Sequence, residues 1–318
     1  MSACLLGHTT KQDMSPTPTP PESSFPDVLV RLRQTAADTY FGYPGNPPPP
    51  FRDQRPPLCT CKYCSGGIYI HQHPLPRIES TWEDGQDARW ILDRESYEVL
   101  DLAEHTILFI QPPDGILTRA QTNAIAEWHR SFNEFSIHLH LPDVPPKHLE
   151  ILKHVFRLFN ELFFCSSLID VELIWGDPVT VGCTSEHLAC AFYDARTYII
   201  IAKRFPGDRF QLLLQTLLHE MIHVYLHRFA CNKNSCICWR QLTENIGHQG
   251  HGRAFMWLAK AIEESSTRFL DWTPKIWTAA SVHEEMRRGA RHPSLHDIAV
   301  CFPEALCKRM EDKGTQTD

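Results

Sequence analysis

Leu217-Leu218-His219-Glu220-Met221-Ile222-His223 is the stretch on which the reading of this chain turns: an H-E-x-x-H motif inside an apolar run. Residues four apart lie one above the other on a helix, so His219 and His223 present two imidazole nitrogens to one point, with Glu220 beside them as a base. The competing reading is a helix carrying two partly exposed histidines. What precedes the motif weighs against it. Residues 210–218 are apolar nearly all round, as in a helix buried in a domain. An unpaired polar group in such an interior costs on the order of 1 to 3 kcal/mol, and a lone carboxylate more, so three together call for a partner such as a metal ion.

Catalytic zinc takes three protein ligands and leaves one position for water. His227 continues the same helix face, but eight residues at about 1.5 Å rise put it roughly 12 Å from His219, beyond metal bonds of about 2.1 Å at both ends. It reads as an ordinary helix-surface histidine. The third ligand is sought instead in residues 244–255, where Glu244, His248 and His251 are candidates. Three glycines there let the backbone turn tightly, and an amphipathic helix over 254–264 follows.

In these residues the chain resembles the SprT-like metalloprotease family, which includes the Spartan-type proteases of DNA–protein crosslinks. The likeness rests on Thr216-Leu217-Leu218-His219-Glu220-Met221-Ile222-His223 followed by Gly250-His251-Gly252-x-x-Phe255, and it covers residues 147–272 of 318. It implies His251 as the third ligand beside His219 and His223, with His248 and Glu244 as runners-up; Glu244 would suit the zincin class whose third ligand is a glutamate. It further implies Zn2+ as the cofactor, Glu220 as the catalytic base, an endopeptidase acting on protein substrates that include DNA-bound ones, and a nuclear rather than cytoplasmic place in the cell.

The residues upstream suit that layout. Residues 147–164 carry a helical apolar stripe; 168–175, 188–193 and 197–202 are rich in β-branched and aromatic residues and read as strands. The resemblance assembles them into an α+β, zincin-like catalytic domain, with a small antiparallel sheet and the H-E-x-x-H helix. The expected organisation is a partly disordered Pro-rich segment over 1–57, an N-terminal extension or small domain over 58–146, the protease domain over 147–272 and a helical tail over 273–318. Within the extension, 106–110 reads as a strand and 122–132 as a helix. Tyr225 and Arg253 lie near the ligands in sequence and are assigned to packing or to solvent.

Composition bounds partners and compartment. No apolar run approaches the roughly 20 residues needed to span a bilayer, and the N-terminus shows no secretory pattern, so no membrane contact and an intracellular, reducing setting are expected. There the 12 cysteines would be thiols or metal ligands rather than disulfides. Cys59, Cys61 and Cys64 with His71 and His73 form a second candidate metal set, and Cys231, Cys236 and Cys238 with His227 or His248 a third. The competing reading of each is a cysteine cluster without metal. Only Cys301 and Cys307, wrongly spaced, stand where many SprT-like proteins carry a zinc ribbon.

The net charge of -7 is uneven. Residues 147–272 hold 13 Lys and Arg against 13 Asp and Glu, whereas residues 1–146 hold 11 against 18. Nonspecific DNA affinity comes mainly from cations that neutralise phosphates, so weak, salt-sensitive DNA contact is expected, with Lys203, Arg204 and Arg209 as the nearest candidates. A second function class stands beside the protease: a nonenzymatic, zinc-stabilised chromatin or protein interaction module. Glu220 argues against it, because a structural site closes with a fourth protein ligand and needs no base.

Overall fold

The computed structural model describes residues 77–79, 89–139, 145–176, 188–193, 196–202, 209–232, 242, 245–276, 285, 297 and 301. The chain divides into two compact units, one comprising His71–Trp277 and the other Ser2–Ile70 with Thr278–Asp318. In the second unit only Glu285, Asp297 and Cys301 are described.

The elements of the first unit run β1 (Arg77–Glu79), β2 (Arg89–Ile91), α1 (Val99–Ile110), α2 (Arg119–Leu139), α3 (Pro145–Phe163), β3 (Val171–Gly176), β4 (Ala189–Tyr193), β5 (Thr197–Ala202), α4 (Arg209–Phe229) and α5 (Arg253–Leu270). Among the described residues five helices accompany a small sheet, which packs against α3 and α4, the mixed helix-and-strand class expected. β1 and β2 form a separate antiparallel pair. No helix among the described residues is long and apolar enough to cross a membrane.

The sheet corrects one expectation. Its strand order is β3-β5-β4; β4 and β5 are antiparallel, but β3 and β5 are parallel, so it is mixed rather than antiparallel. A connection of three residues between Tyr193 and Thr197 forces the first relation. The second depends on which side of β5 accepts β3, a choice made by packing of the whole domain rather than by the strand itself.

Residues 106–110, expected as a strand, are helical. The Glu98 side chain accepts hydrogen bonds from the Leu100 and Asp101 backbone N–H groups at 2.8 and 2.9 Å and so starts a helix whose last turn is 106–110. Thr106, β-branched and thus suggestive of a strand, returns its hydroxyl to the Leu102 carbonyl at 2.7 Å and meets the Tyr225 hydroxyl at 2.7 Å. The helix expected at 122–132 is present and longer, as α2.

Packing centres on α4. Leu213, Leu214, Leu217, Leu218, Met221, Ile222, Val224 and Tyr225 are all buried, with α1 and α5 against one side and β4 and β5 against another. The chain before α1 is tied to the end of α4, since the Glu95 N–H donates to the Arg228 carbonyl and those of Ser96 and Tyr97 to the Phe229 carbonyl. Trp128 of α2 packs on Phe159 of α3 and on Trp272 just past α5, with ring centres 5.6 and 5.8 Å apart. Its indole N–H donates to the Leu270 carbonyl at 3.2 Å. This aromatic cluster turns the chain leaving α5 back toward α4.

Candidate metal centre

The strip of α4 that is not sealed into the core carries Leu212, Gln215, Thr216, His219 and His223, spaced by three and four residues along one face. His251 reaches the same place from the turn before α5. The three Nε2 atoms form a triangle with sides of 3.1 Å (His219 to His223), 3.2 Å (His223 to His251) and 3.0 Å (His219 to His251). Three nitrogens meeting so closely offer too few protons to satisfy one another. A divalent ion with bonds of about 2.0 to 2.1 Å could be held by His219, His223 and His251 together, and would supply Lewis-acid chemistry there. The geometry thus fits a three-histidine divalent site, and these three residues are the one such group among the described residues.

Protonation suits that role. Burial lowers the pKa of His219, drives that of His223 well down with help from its neighbours His219, His251 and His227, and brings His251 to about 3. All three rings are neutral near pH 7, as metal ligation requires. His219 Nδ1 lies 2.9 Å from the Ile276 carbonyl oxygen. Because a carbonyl only accepts, Nδ1 must carry the proton, which leaves the Nε2 lone pair for the ion.

The loop that delivers His251 depends on two glycines. Gly250 has φ +87°, and a Cβ there would lie 2.7 and 2.8 Å from ring atoms of His223. Gly252 lets the chain cross itself, since its Cβ would fall 2.6 Å from the Asn245 carbonyl oxygen while its N–H donates to the Ile246 carbonyl at 2.6 Å. Phe255, fully buried in the first turn of α5, is a floor for the site, its ring centre 4.8, 4.8 and 5.0 Å from those of His219, His223 and His251.

Glu220 is 8 % exposed, and burial raises its pKa to about 7, opposed by a hydrogen bond from the Ala191 backbone N–H. That bond ties the carboxyl to β4, which among the described residues pairs with β5. Beside Glu220 and His219 opens a cavity of about 270 Å3, walled by Leu188, Ala189, Leu212 and Ile276, with Gln215, Thr216 and Lys275 as its polar lining. The arrangement therefore combines a metal-sized nest of neutral imidazoles, a buried carboxyl and a mostly apolar space next to both.

His248 is exposed and outside the triad. Glu244, Lys203, Arg204, the Cys59 cluster with His71 and His73, and Cys236, Cys238 and Cys307 lie outside the described residues, as does the Arg209 side chain. His227 is corrected: it is half-buried rather than on the surface, stacked on Tyr193 with ring centres 4.4 Å apart, and burial lowers its pKa to about 4. The strip of helix it occupies is roofed by β4, which helical spacing does not reveal. The cysteine expectation is corrected as well. Cys165 and Cys231 are buried and free, but Cys190 of β4 is disulfide-bonded. Bridging follows from the proximity of two sulfurs in the fold, whereas the expectation was drawn from compartment alone. Tyr225 and Arg253 take packing roles: Tyr225 is fully buried and bonded to Thr106, and Arg253, 2 % exposed, donates to Asn245 at 3.3 Å.

The Ile276 carbonyl, the Ala191 N–H and the cavity were not legible in the sequence, and Phe255 stood there only as the last residue of the second motif, without a role. Phe255 alone carried a signal, its place one turn after His251.

Compared with known proteins, the chain matches no family model, and neither a curated protein nor a solved structure is similar to it.

Proposed function

We propose that this protein is a zinc-dependent endopeptidase of the SprT-like, zincin type. The observation that carries the reading is the convergence of His219, His223 and His251 on one metal-sized point with Glu220 buried beside it and a cavity alongside. When bound, zinc supplies Lewis-acid polarisation and a water of lowered pKa. Glu220 takes the proton of the attacking water on its carboxylate and passes it to the leaving amine nitrogen, a base that becomes an acid within one turnover. Ala191, through its N–H, holds that carboxylate in place. Leu188, Leu212 and Ile276 exclude water from one side and receive a substrate side chain beside the scissile bond.

The resemblance to Spartan-type proteases supports substrates that are proteins on DNA, in the nucleus; the balanced charge of 147–272 supports weak and salt-sensitive DNA contact. The test is to measure zinc content and cleavage of an unfolded protein by the purified full chain, alone and with single-stranded or duplex DNA. About one zinc per chain and cleavage lost with a chelator are expected. Absence of cleavage by zinc-loaded protein under all three conditions overturns the enzyme reading. Tight DNA binding that persists at high salt overturns the view of DNA contact.

A further inference from the structure

The His219 ring is oriented by a backbone carbonyl, and what fixes that carbonyl is a side chain on another helix. The chain leaving α5 reverses at Asp271, which has φ +49°, and Trp272 seats itself against Trp128 and Phe159, 5.8 and 6.0 Å away. Residues 273–276 then run back beside α5 toward α4. At the end of this return Ile276, 4 % exposed, is held from both sides. Its N–H donates to Glu263 Oε1 at 2.7 Å, and its carbonyl accepts from His219 Nδ1 at 2.9 Å. A buried backbone N–H needs an acceptor. Glu263 sits in the middle of α5, whose own carbonyls are taken by the helix, so its side chain supplies that acceptor. A carboxylate makes the bond charge-assisted and short.

We propose that Glu263 is a positioning residue of the metal centre: through Ile276 it sets the tautomer and angle of the His219 ring. The proposal rests on the reading that the three histidines take a divalent metal, but not on proteolysis. It also explains why one ligand needs this help. Phe255 packs on both rings alike, but His223 is also confined by Gly250. His219 stands at the edge of the cavity, where its ring is free on one side and the Ile276 carbonyl is the hydrogen-bonding partner of Nδ1. Ile276 and Lys275 also line that cavity, so the same clamp shapes the space beside Glu220.

The test is competition for Zn2+ against a chromophoric chelator, using the full chain and its Glu263 variants, with the thermal midpoint of each metal-free protein measured alongside. Glu263→Ala is expected to weaken zinc binding by roughly 10- to 100-fold, as outer-shell partners of metal-bound histidines do. Glu263→Gln, whose amide oxygen still accepts from Ile276, is expected to stay within about threefold, the neutral bond being about half as strong. Should Glu263→Ala fold poorly, Glu263→Asp keeps the charge but shortens the reach by one methylene, and the same loss is expected. A structural role alone would not select one ring, so ¹⁵N spectra of the imidazoles provide the second reading. In the metal-free wild type His219 is the Nδ1-protonated tautomer, and Glu263→Ala alters its signals far more than those of His223 or His251. Wild-type zinc affinity in Glu263→Ala, or in Glu263→Asp where it is the variant that folds, overturns the proposal, as do equal changes at all three rings. If the wild type binds no zinc, the metal reading fails, while the hold of Glu263 on His219 is still decided by the metal-free spectra.

Discussion

Replacing Gly250 by alanine puts one methyl group where the metal centre leaves no space. The backbone there has φ +87°, which costs a non-glycine residue about 1 to 3 kcal/mol. The added Cβ would also lie 2.7 Å from His223 Cε1 and 2.8 Å from Nδ1, so the ring or the loop must yield by about 0.7 Å to reach ordinary contact near 3.4 Å. Neither can yield freely. The His223 ring is pressed from the other side by Phe255, and the loop carries His251, the next residue. Against Nε2 separations of 3.0 to 3.2 Å, a shift of that size breaks the triangle a zinc ion needs. Zinc affinity should fall by at least the roughly 10- to 100-fold seen when a ligand is misoriented, and the metal-free protein should melt roughly 2 to 12 °C lower. Gly115→Ala is the control. With φ +71° and nothing within 4 Å of its added Cβ, it incurs the strain without the clash. Chelator competition and thermal unfolding on both variants separate the two effects. If Gly250→Ala binds zinc as tightly as Gly115→Ala, the packing of the loop against His223 is not what forms the site.

Other outcomes follow from the same structure. Phe255→Ala removes a fully buried ring in contact with all three histidines, and a loss of about 3 to 5 kcal/mol in chemical denaturation is expected together with weaker zinc binding. Unchanged affinity would show the floor is dispensable. Glu98 has its pKa raised to about 7 by burial, so its neutral form favours folding: the contribution is fully present below its unfolded value of 4.5 and is lost as pH rises through about 7. The wild type should lose on the order of 3 kcal/mol across that window relative to Glu98→Gln, read by denaturant titration at pH 4.5 and pH 8; parallel curves would contradict it. Stripping the metal should lower the thermal midpoint as well, because zinc at about 100 times its dissociation constant stabilises the folded state by about 2.7 kcal/mol, or roughly 5 to 11 °C here. A midpoint indifferent to chelator would place the ion elsewhere or nowhere.

The metal triad was largely legible in the sequence because helical geometry is local. The spacing of His219 and His223 fixes their relation by itself, and the glycines at 250 and 252 mark a chain that must turn sharply. His251 was separated from His248 and Glu244 only by resemblance, since ligand distance across an intervening loop is not encoded in spacing. The three strands and α3 were readable from apolar pattern. The direction of β3, by contrast, depends on where the strand docks, and the helix at 106–110 depends on a cap set eight residues upstream, at Glu98. His227 misled because a helix face has no visible roof until β4 covers it. The second layer of the site was not legible at all. Ala191 and Ile276 act through backbone groups, and a backbone group has the same chemistry at every position in the chain.

The central claim is tested most directly by comparing wild type and Glu220→Gln, both loaded with zinc, in one assay that counts new peptide termini released from an unfolded protein. Glutamine preserves size but cannot accept the proton, so cleavage should fall by roughly 10² to 10⁴ while zinc stays bound. Equal cleavage by the two proteins would contradict the account, since Glu220 would then not be the base.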